Sequence, residues 1–229
     1  MVSQSGRDVR DGVKKVSEST VARLSLYLRL LNEMESDGVA TLSSRELARW
    51  AGSTAAQVRK DLNAFGTFGK RGLGYSVPEL ASALRSILGL EHRWRVALVG
   101  VGRIGAALLG YQDFRRQGFH IVAAFDADGS KAGHRRHGVL VRADAEMERV
   151  LEEESIEIVI VAVPVDVAQS VVDRVVAAGV RAVLNFAPTK LRVPAGVTLK
   201  NVNMALELEA LSYALSAGRQ GRRPAASRS

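Results

Sequence analysis

Three glycines in the run Gly100-Val101-Gly102-Arg103-Ile104-Gly105, with the carboxylate Asp126 21 residues past the last of them, have the types and spacing to hold a dinucleotide. Gly100 would make the tight turn out of a strand. Gly102 would let backbone approach a pyrophosphate, and Gly105 would let helix and strand close on each other. The diphosphate would rest on backbone N–H groups at a helix start, which favour anions. Asp126, ending the next strand, can accept hydrogen bonds from ribose hydroxyls and would repel a 2′-phosphate, so NAD(H) is expected over NADP(H). Val101, Arg103 and Ile104 complete the turn, and Asp128 and Lys131 stand with Asp126 in the candidate site. Val163-Pro164 and Phe186-Ala187-Pro188 end two later apolar segments and would border the nicotinamide. The oxidised ring is charged and the reduced ring is not, so an apolar slot should favour NADH, with NAD+ as the competing ligand.

Hydride transfer to a substrate needs an acid or base near the nicotinamide, and none of the four histidines is well placed. His92 lies in a connector, His120 at a strand start on the wrong edge of the sheet, and His134 and His137 in a basic loop nearer the adenosine. His134-x-x-His137 has no cysteine or nearby carboxylate to complete a metal site, so it reads as solvated surface and no metal is expected. There is no Tyr-x-x-x-Lys pair and no cysteine. The second absence excludes disulfides, thiolate catalysis and zinc ribbons. Nothing beyond the nucleotide-binding elements is large enough for a substrate domain. The site should bind and not react.

A second constellation lies earlier. Gln57, Arg59, Lys60 and Asn63 share a short helix whose Val58 and Leu62 face inward, with Ser53 in the turn before it. Arginine and lysine can read guanine and glutamine can read adenine in the major groove. Lys70 and Arg71, at the expected tip of a glycine- and aromatic-rich hairpin (residues 65–75), could enter the minor groove. A small helical interaction domain with a solvated face is the plainer alternative.

These groups need elements to position them. Val21, Leu24, Leu28 and Leu31 repeat at helical spacing after the possible cap Ser19, giving a helix to about Met34. Ser43-x-x-Glu46 is a capping box opening a helix from Ser44 to Trp50. Gly52 supplies a turn, and Thr54-x-x-Gln57 caps a third helix to about Ala64. Glu79 to Leu88 reads as a helical linker. From Trp94 apolar strands (96–99, 121–125, 156–163, 180–184 and 197–202) alternate with helices at about 104–117, 143–154 and 166–178. That rhythm predicts a parallel sheet covered on both faces. The fold class is therefore α/β: an N-terminal winged helix-turn-helix domain (16–77), a linker (78–92) and a Rossmann-type doubly wound parallel sheet (93–202). A flexible N-terminus (1–15), a C-terminal helix (203–217) and a basic disordered tail (218–229) complete the division.

Charge follows the same division. Residues 1–75 hold 12 Lys/Arg against 8 Asp/Glu, residues 76–218 hold 16 of each, and the tail holds four arginines and no acid. A neutral body with basic ends points to a polyanionic partner. The longest apolar run, Ile156 to Val165, is too short to span a bilayer, and the polar N-terminus carries no secretory signal. A cytoplasmic protein without membrane contact is expected.

The string Gln57-Val58-Arg59-Lys60-Asp61-Leu62, followed by residues 65–75, resembles the recognition helix and wing of the Rex family of redox-sensing transcriptional repressors. Gly100 to Gly105, Phe125 to Asp128, Asn185 to Pro188 and Asn201-Val202 are also similar to that family, and the likeness covers about Val16 to Leu215. It implies a homodimer that binds an inverted-repeat operator in double-stranded DNA when NADH is low and is released by NADH. It also implies that Arg59 and Lys60 contact DNA, that the three glycines and Asp126 hold the dinucleotide, and that the last helix is swapped into the partner subunit. The stripe Met204, Leu208, Leu211 and Leu215 agrees in needing another surface. Tyr111 and Asn203 match two switch positions, but the family commonly has aspartate where Asn203 stands. A small NAD-dependent dehydrogenase and a constitutive DNA binder with a vestigial nucleotide site stand as the other readings.

Overall fold

Helix α1 (Glu18–Ser36) starts at Ser17, whose side chain accepts from the Thr20 N–H, and buries Leu24, Tyr27, Leu28 and Leu31 along one stripe. The computed structural model describes residues 16–69 and 72–220, with side chains through Ser216. The expected flexible N-terminus, the wing-tip pair Lys70 and Arg71, and residues 221–229 of the basic tail lie outside the described residues. The rest falls into two units that divide between His92 and Arg93.

In the first unit, strand β1 (Thr41–Leu42) leads into α2 (Ser44–Trp50), and a turn at Gly52 leads into α3 (Ala55–Asn63). The Ser43 capping box forms in full: Ser43 N–H donates to Glu46 Oε2 at 2.7 Å and Glu46 N–H to Ser43 Oγ at 3.2 Å. Thr54 makes only half of one. Its hydroxyl accepts from the Gln57 N–H, but the Gln57 side chain turns forward to Asp61. Strand β2 (Tyr75–Ser76) does not close a hairpin on its own loop. It pairs antiparallel with β1, so the wing is an excursion whose return strand is anchored before α2. Gly69 makes the bend possible: its φ is +77°, and a Cβ there would stand 2.4 Å from the Gly74 carbonyl.

Helix α4 (Val77–Ile87) covers the segment read as a linker. It buries Val77, Leu80, Ala81 and Leu84 in one core with α1, α2 and α3. Each such aliphatic side chain removed from water stabilises by roughly 1.5–3 kcal/mol, so α4 is part of this unit's fold and not a tether.

The second unit is a seven-stranded sheet ordered β5-β6-β4-β3-β7-β8-β9. Its strands are β3 (Trp94–Val99), β4 (Phe119–Asp126), β5 (Arg135–Arg136), β6 (Val139–Ala143), β7 (Ile158–Val161), β8 (Ala182–Asn185) and β9 (Thr198–Asn201). All pair in parallel except the short β5, which forms an antiparallel edge on β6. Ala97 and Val99 of β3 face a core shared with α7 (Met147–Glu153) and α8 (Val165–Ala177). Val96 and Leu98 face the opposite core, with Leu109 of α5 (Arg103–Leu109) and Phe114 of α6 (Gln112–Arg116). This is the doubly wound architecture that alternation predicts.

Strands β5 and β6 fall where a basic loop was expected. The helix expected over 104–117 is broken at Gly110-Tyr111, where a Cβ on Gly110 would stand 2.9 Å from the His137 ring. Helix α9 (Met204–Gln220) runs three residues past its expected end at 217. Its Met204, Leu208, Leu211 and Leu215 are all more than half exposed. Among the described residues no helix is long and apolar enough to cross a membrane.

Candidate functional site

The first unit presents α3 as an exposed face. Val58, Asp61 and Leu62 point inward, whereas Arg59, Lys60 and Asn63 are exposed together with Ala56, whose methyl the sequence reading passed over. Arg59 donates to Ser44 Oγ at 2.9 Å, which aligns its guanidinium along α2. Ser44, Arg59, Asn63 and the glycine-rich wing border a cavity of about 770 Å³, open toward solvent. Gln57 and Ser53 are half-buried. Ser53 stands beside the Tyr27 hydroxyl, and Gln57 is held by Asp61.

Asp61 is the unexpected member. It is 3% exposed and receives a fork from Arg23 (Nε and Nη2, each at 2.7 Å), the Tyr27 hydroxyl at 3.0 Å and Gln57 Nε2 at 2.8 Å. An anion in the last turn of a helix opposes the helix dipole, so its presence requires this set of donors. Burial pushes the carboxyl up, but the hydrogen bonds from Arg23, Gln57 and Tyr27 outweigh it and hold Asp61 below the usual carboxylate range. Through α1 the cluster fixes the rotation of α3 about its own axis.

The second unit holds a crevice of about 500 Å³ beyond the carboxyl ends of β3, β4 and β7. There the strand order reverses, which is where such sheets bind ligands. Gly100, Gly102, Asp126, Asp128, Lys131, Val163 and Pro164 line it. The glycines play different parts. Gly100 has φ +93°, and a Cβ would meet the Ala162 carbonyl at 2.5 Å. A Cβ on Gly105 would meet the Gly100 carbonyl at 1.9 Å. Gly102 has an extended backbone and nothing within 4 Å of where its Cβ would be. The first and third glycines close strand on helix, and the second leaves a cradle open to a ligand. Helix α5 has only seven residues, so the anion-attracting groups are the N–H groups of this turn more than a long dipole.

Asp126 is already engaged. Val101 N–H at 2.7 Å and Lys131 Nζ at 3.0 Å both donate to Oδ2, and Asp128 N–H donates to Oδ1 at 2.9 Å. Burial raises its pKa, but these donors together bring it below the ordinary range. A carboxylate offers about four lone-pair directions, so Lys131 competes for the space a ribose hydroxyl would use.

Asp144, Ser170 and Arg174 also line the crevice, and the sequence reading missed them. Arg174 donates to Asp144 Oδ2 at 2.6 Å and pairs with Glu148. The cluster sets one cation between two carboxylates. Val101 is buried and takes part through its backbone; Arg103 and Ile104 are exposed at the start of α5. Phe186, Ala187 and Pro188 do not line the crevice, and Ala187 is buried. Tyr111 borders a separate cavity with His137, and Asn203 accepts from the Ala205 N–H at the start of α9. Among the described residues no group of three or more His, Asp or Glu could hold a metal ion.

Two family models match the chain, one described as putative DNA-binding protein N-terminus over residues 15–63 and one as CoA binding domain over residues 91–189. The redox-sensing transcriptional repressor Rex of Carboxydothermus hydrogenoformans is 45% identical over 199 residues, 87% of this chain and 96% of that protein. Its namesake in Streptomyces coelicolor is 43% identical over 198 residues, 86% of this chain and 77% of that protein. Among solved structures, RSP in complex with beta-NAD+ and operator DNA superposes with a TM-score of 0.87 at 37% identity, covering 91% of this chain and 96% of that one. RSP with beta-NADH gives 0.84 at 36% identity, covering 91% and 98%.

Proposed function

The chain belongs to the Rex family of redox-sensing transcriptional repressors, and on that premise we propose how its own residues divide the work. It is a DNA-binding regulator and not an enzyme. The α3 face, with Arg59, Lys60 and Asn63, enters the major groove of an inverted-repeat operator, and Lys70 and Arg71 reach the minor groove. The crevice with Gly102, Asp126 and Lys131 takes NAD(H). One observation carries this reading: a close-packed nucleotide fingerprint with one open glycine shares a chain with a cationic helix face held in a fixed rotation.

When bound, the dinucleotide supplies a redox-dependent charge, positive on the oxidised ring and absent on the reduced one. Val163, Pro164 and Val167 offer apolar surface. The wall therefore favours the uncharged ring. A homodimer formed through the apolar stripe of α9, with that helix swapped into the partner, would present two α3 helices to successive major grooves about 34–36 Å apart or a multiple of it. NADH need only prefer a dimer whose helices are mis-spaced. Moving the DNA-competent fraction from about 99% to 1% takes roughly a 10⁴-fold preference. Phe186 to Pro188, Tyr111 and Asn203 belong to this switch, with an uncharged amide at 203 in place of a carboxylate. The setting is the cytoplasm.

The test is a gel shift on inverted-repeat DNA titrated separately with NADH, NAD+ and NADPH. NADH should weaken the complex at the lowest concentration of the three. Equal DNA affinity with and without NADH would remove the sensor role and leave a constitutive binder.

A further inference from the structure

Gln57 is the third residue of α3, in the turn that helix-turn-helix proteins direct at base edges. A free glutamine can rotate its amide to offer donor or acceptor, but this one is held. Its Nε2 donates to Asp61 Oδ1 at 2.8 Å, one helical turn on. Asp61 is ionised, closed off from water and bound on its other sides by Arg23 and Tyr27. A carboxylate only accepts hydrogen bonds. Turning the Gln57 oxygen toward it would set two acceptors together, at a cost of roughly 1–3 kcal/mol. The amide is thus held with one Nε2 hydrogen inward and its oxygen outward. Among the described residues no donor faces that oxygen.

We infer that Asp61 is a positioning residue that fixes the polarity of Gln57, making position 57 a reader of exocyclic amino groups. Its outward oxygen accepts from adenine N6 or cytosine N4, which guanine O6 and thymine O4, themselves acceptors, cannot satisfy. This rests on α3 being the DNA-recognition helix. The discrimination lies in an intramolecular bond, so residue 57 alone does not determine it.

The experiment uses the full-length protein and duplexes it selects from a randomised pool. Each adenine of one half-site is replaced by deoxynebularine, which lacks the 6-amino group, and each cytosine by its 2-pyrimidinone analogue. Anisotropy titrations are run with the unchanged protein and with Gln57→Met, which keeps the side chain's length but has no acceptor. One position should lose roughly 5–10-fold in affinity with the unchanged protein, and that loss should vanish in Gln57→Met.

A second variant, Asp61→Asn, reverses the logic. The substituted oxygen keeps Arg23 Nε and Tyr27 while its NH2 takes the Oδ1 place, facing Gln57 and displacing Arg23 Nη2; Gln57 then turns its own oxygen inward and its nitrogen outward. At the same position preference should move from the amino-bearing to the keto-bearing base, with NADH binding unchanged as the check on folding. If Asp61→Asn does not fold, the Gln57→Met comparison decides alone. The inference is overturned if no analogue penalty depends on residue 57, or if Asp61→Asn folds and keeps the original preference; α3 remains the recognition helix in both cases. If no duplex is selected at all, the recognition-helix reading itself falls and takes this inference with it.

Discussion

Gly102→Val should separate sensing from DNA binding. The backbone at Gly102 is extended (φ −78°, ψ −159°), a conformation valine adopts readily, and its Cβ would meet nothing within 4 Å. The fold therefore has no reason to resist the change. The added isopropyl group would instead fill the cradle where a diphosphate approaches the turn. Losing two charge-assisted hydrogen bonds to its N–H groups forfeits about 3 kcal/mol even at the lower end of their range, or roughly 10²-fold in affinity. The assay pairs NADH titration by fluorescence with operator binding by anisotropy. Gly102→Val should bind DNA as the unchanged protein does and no longer release it at NADH concentrations that empty the wild type. Gly105→Ala is the internal control, because its Cβ would lie 1.9 Å from the Gly100 carbonyl. It should lower the melting temperature and lose both functions. A Gly102→Val protein that binds NADH normally, or one that melts early, refutes this division of labour between the glycines.

Arg59→Ala removes an exposed cation aligned by Ser44; DNA affinity should fall about ten-fold or more while NADH affinity holds, and a weaker NADH titration would count against the assignment. Lys131→Met keeps the stem but frees Asp126 Oδ2, so selectivity for NADH over NADPH should rise several-fold, read as the ratio of the two dissociation constants. Leu208→Asp with Leu211→Asp places charge on the exposed stripe of α9 and should give a monomer by sedimentation that binds operator poorly; an intact dimer would move the interface elsewhere. Asp61 carries a pH signature: its folded pKa lies below the unfolded value of about 3.9, so its stabilisation is complete above that and is lost as pH falls through the folded value. Urea unfolding between pH 5 and 3 should decline more steeply for the unchanged protein than for Asp61→Asn.

Features that were legible in the sequence are those whose cause is local. The Ser43 box, the apolar stripe of α1 and the glycine fingerprint each depend on residues a few positions apart, and they formed where expected, except that α1 is capped by Ser17 instead of Ser19 and leaves Val21 exposed. What escaped depends on partners far along the chain. Strand β6 is five residues with an arginine in it, and only its register on β4 makes it a strand. The break at Gly110 lies against His137, and β2 pairs with β1 across the whole helix-turn-helix. In the crevice, Arg174 comes from the last turn of α8 and Asp144 from a short turn. No spacing rule joins them to Gly102, so periodicity could not bring them to the site.

Asp61 and Asn185 are the two polar side chains buried among the described residues, and both lie beside a candidate site. Burying such groups costs free energy unless every polar atom finds a partner, so their positions are informative. Asp61 accepts four hydrogen bonds and fixes the face of α3. Asn185, at the carboxyl end of β8, takes the Ala187 N–H on Oδ1 and donates to the Ala187 carbonyl and to Asn201. It thereby shapes the 185–188 loop that follows the strand. Apolar residues of the same size would fill either position, but neither could orient a neighbouring polar group. A fully satisfied buried polar group trades little net stability for a single geometry. That exchange is useful where a DNA-reading helix must keep one rotation and a loop beside a nucleotide crevice must keep one shape.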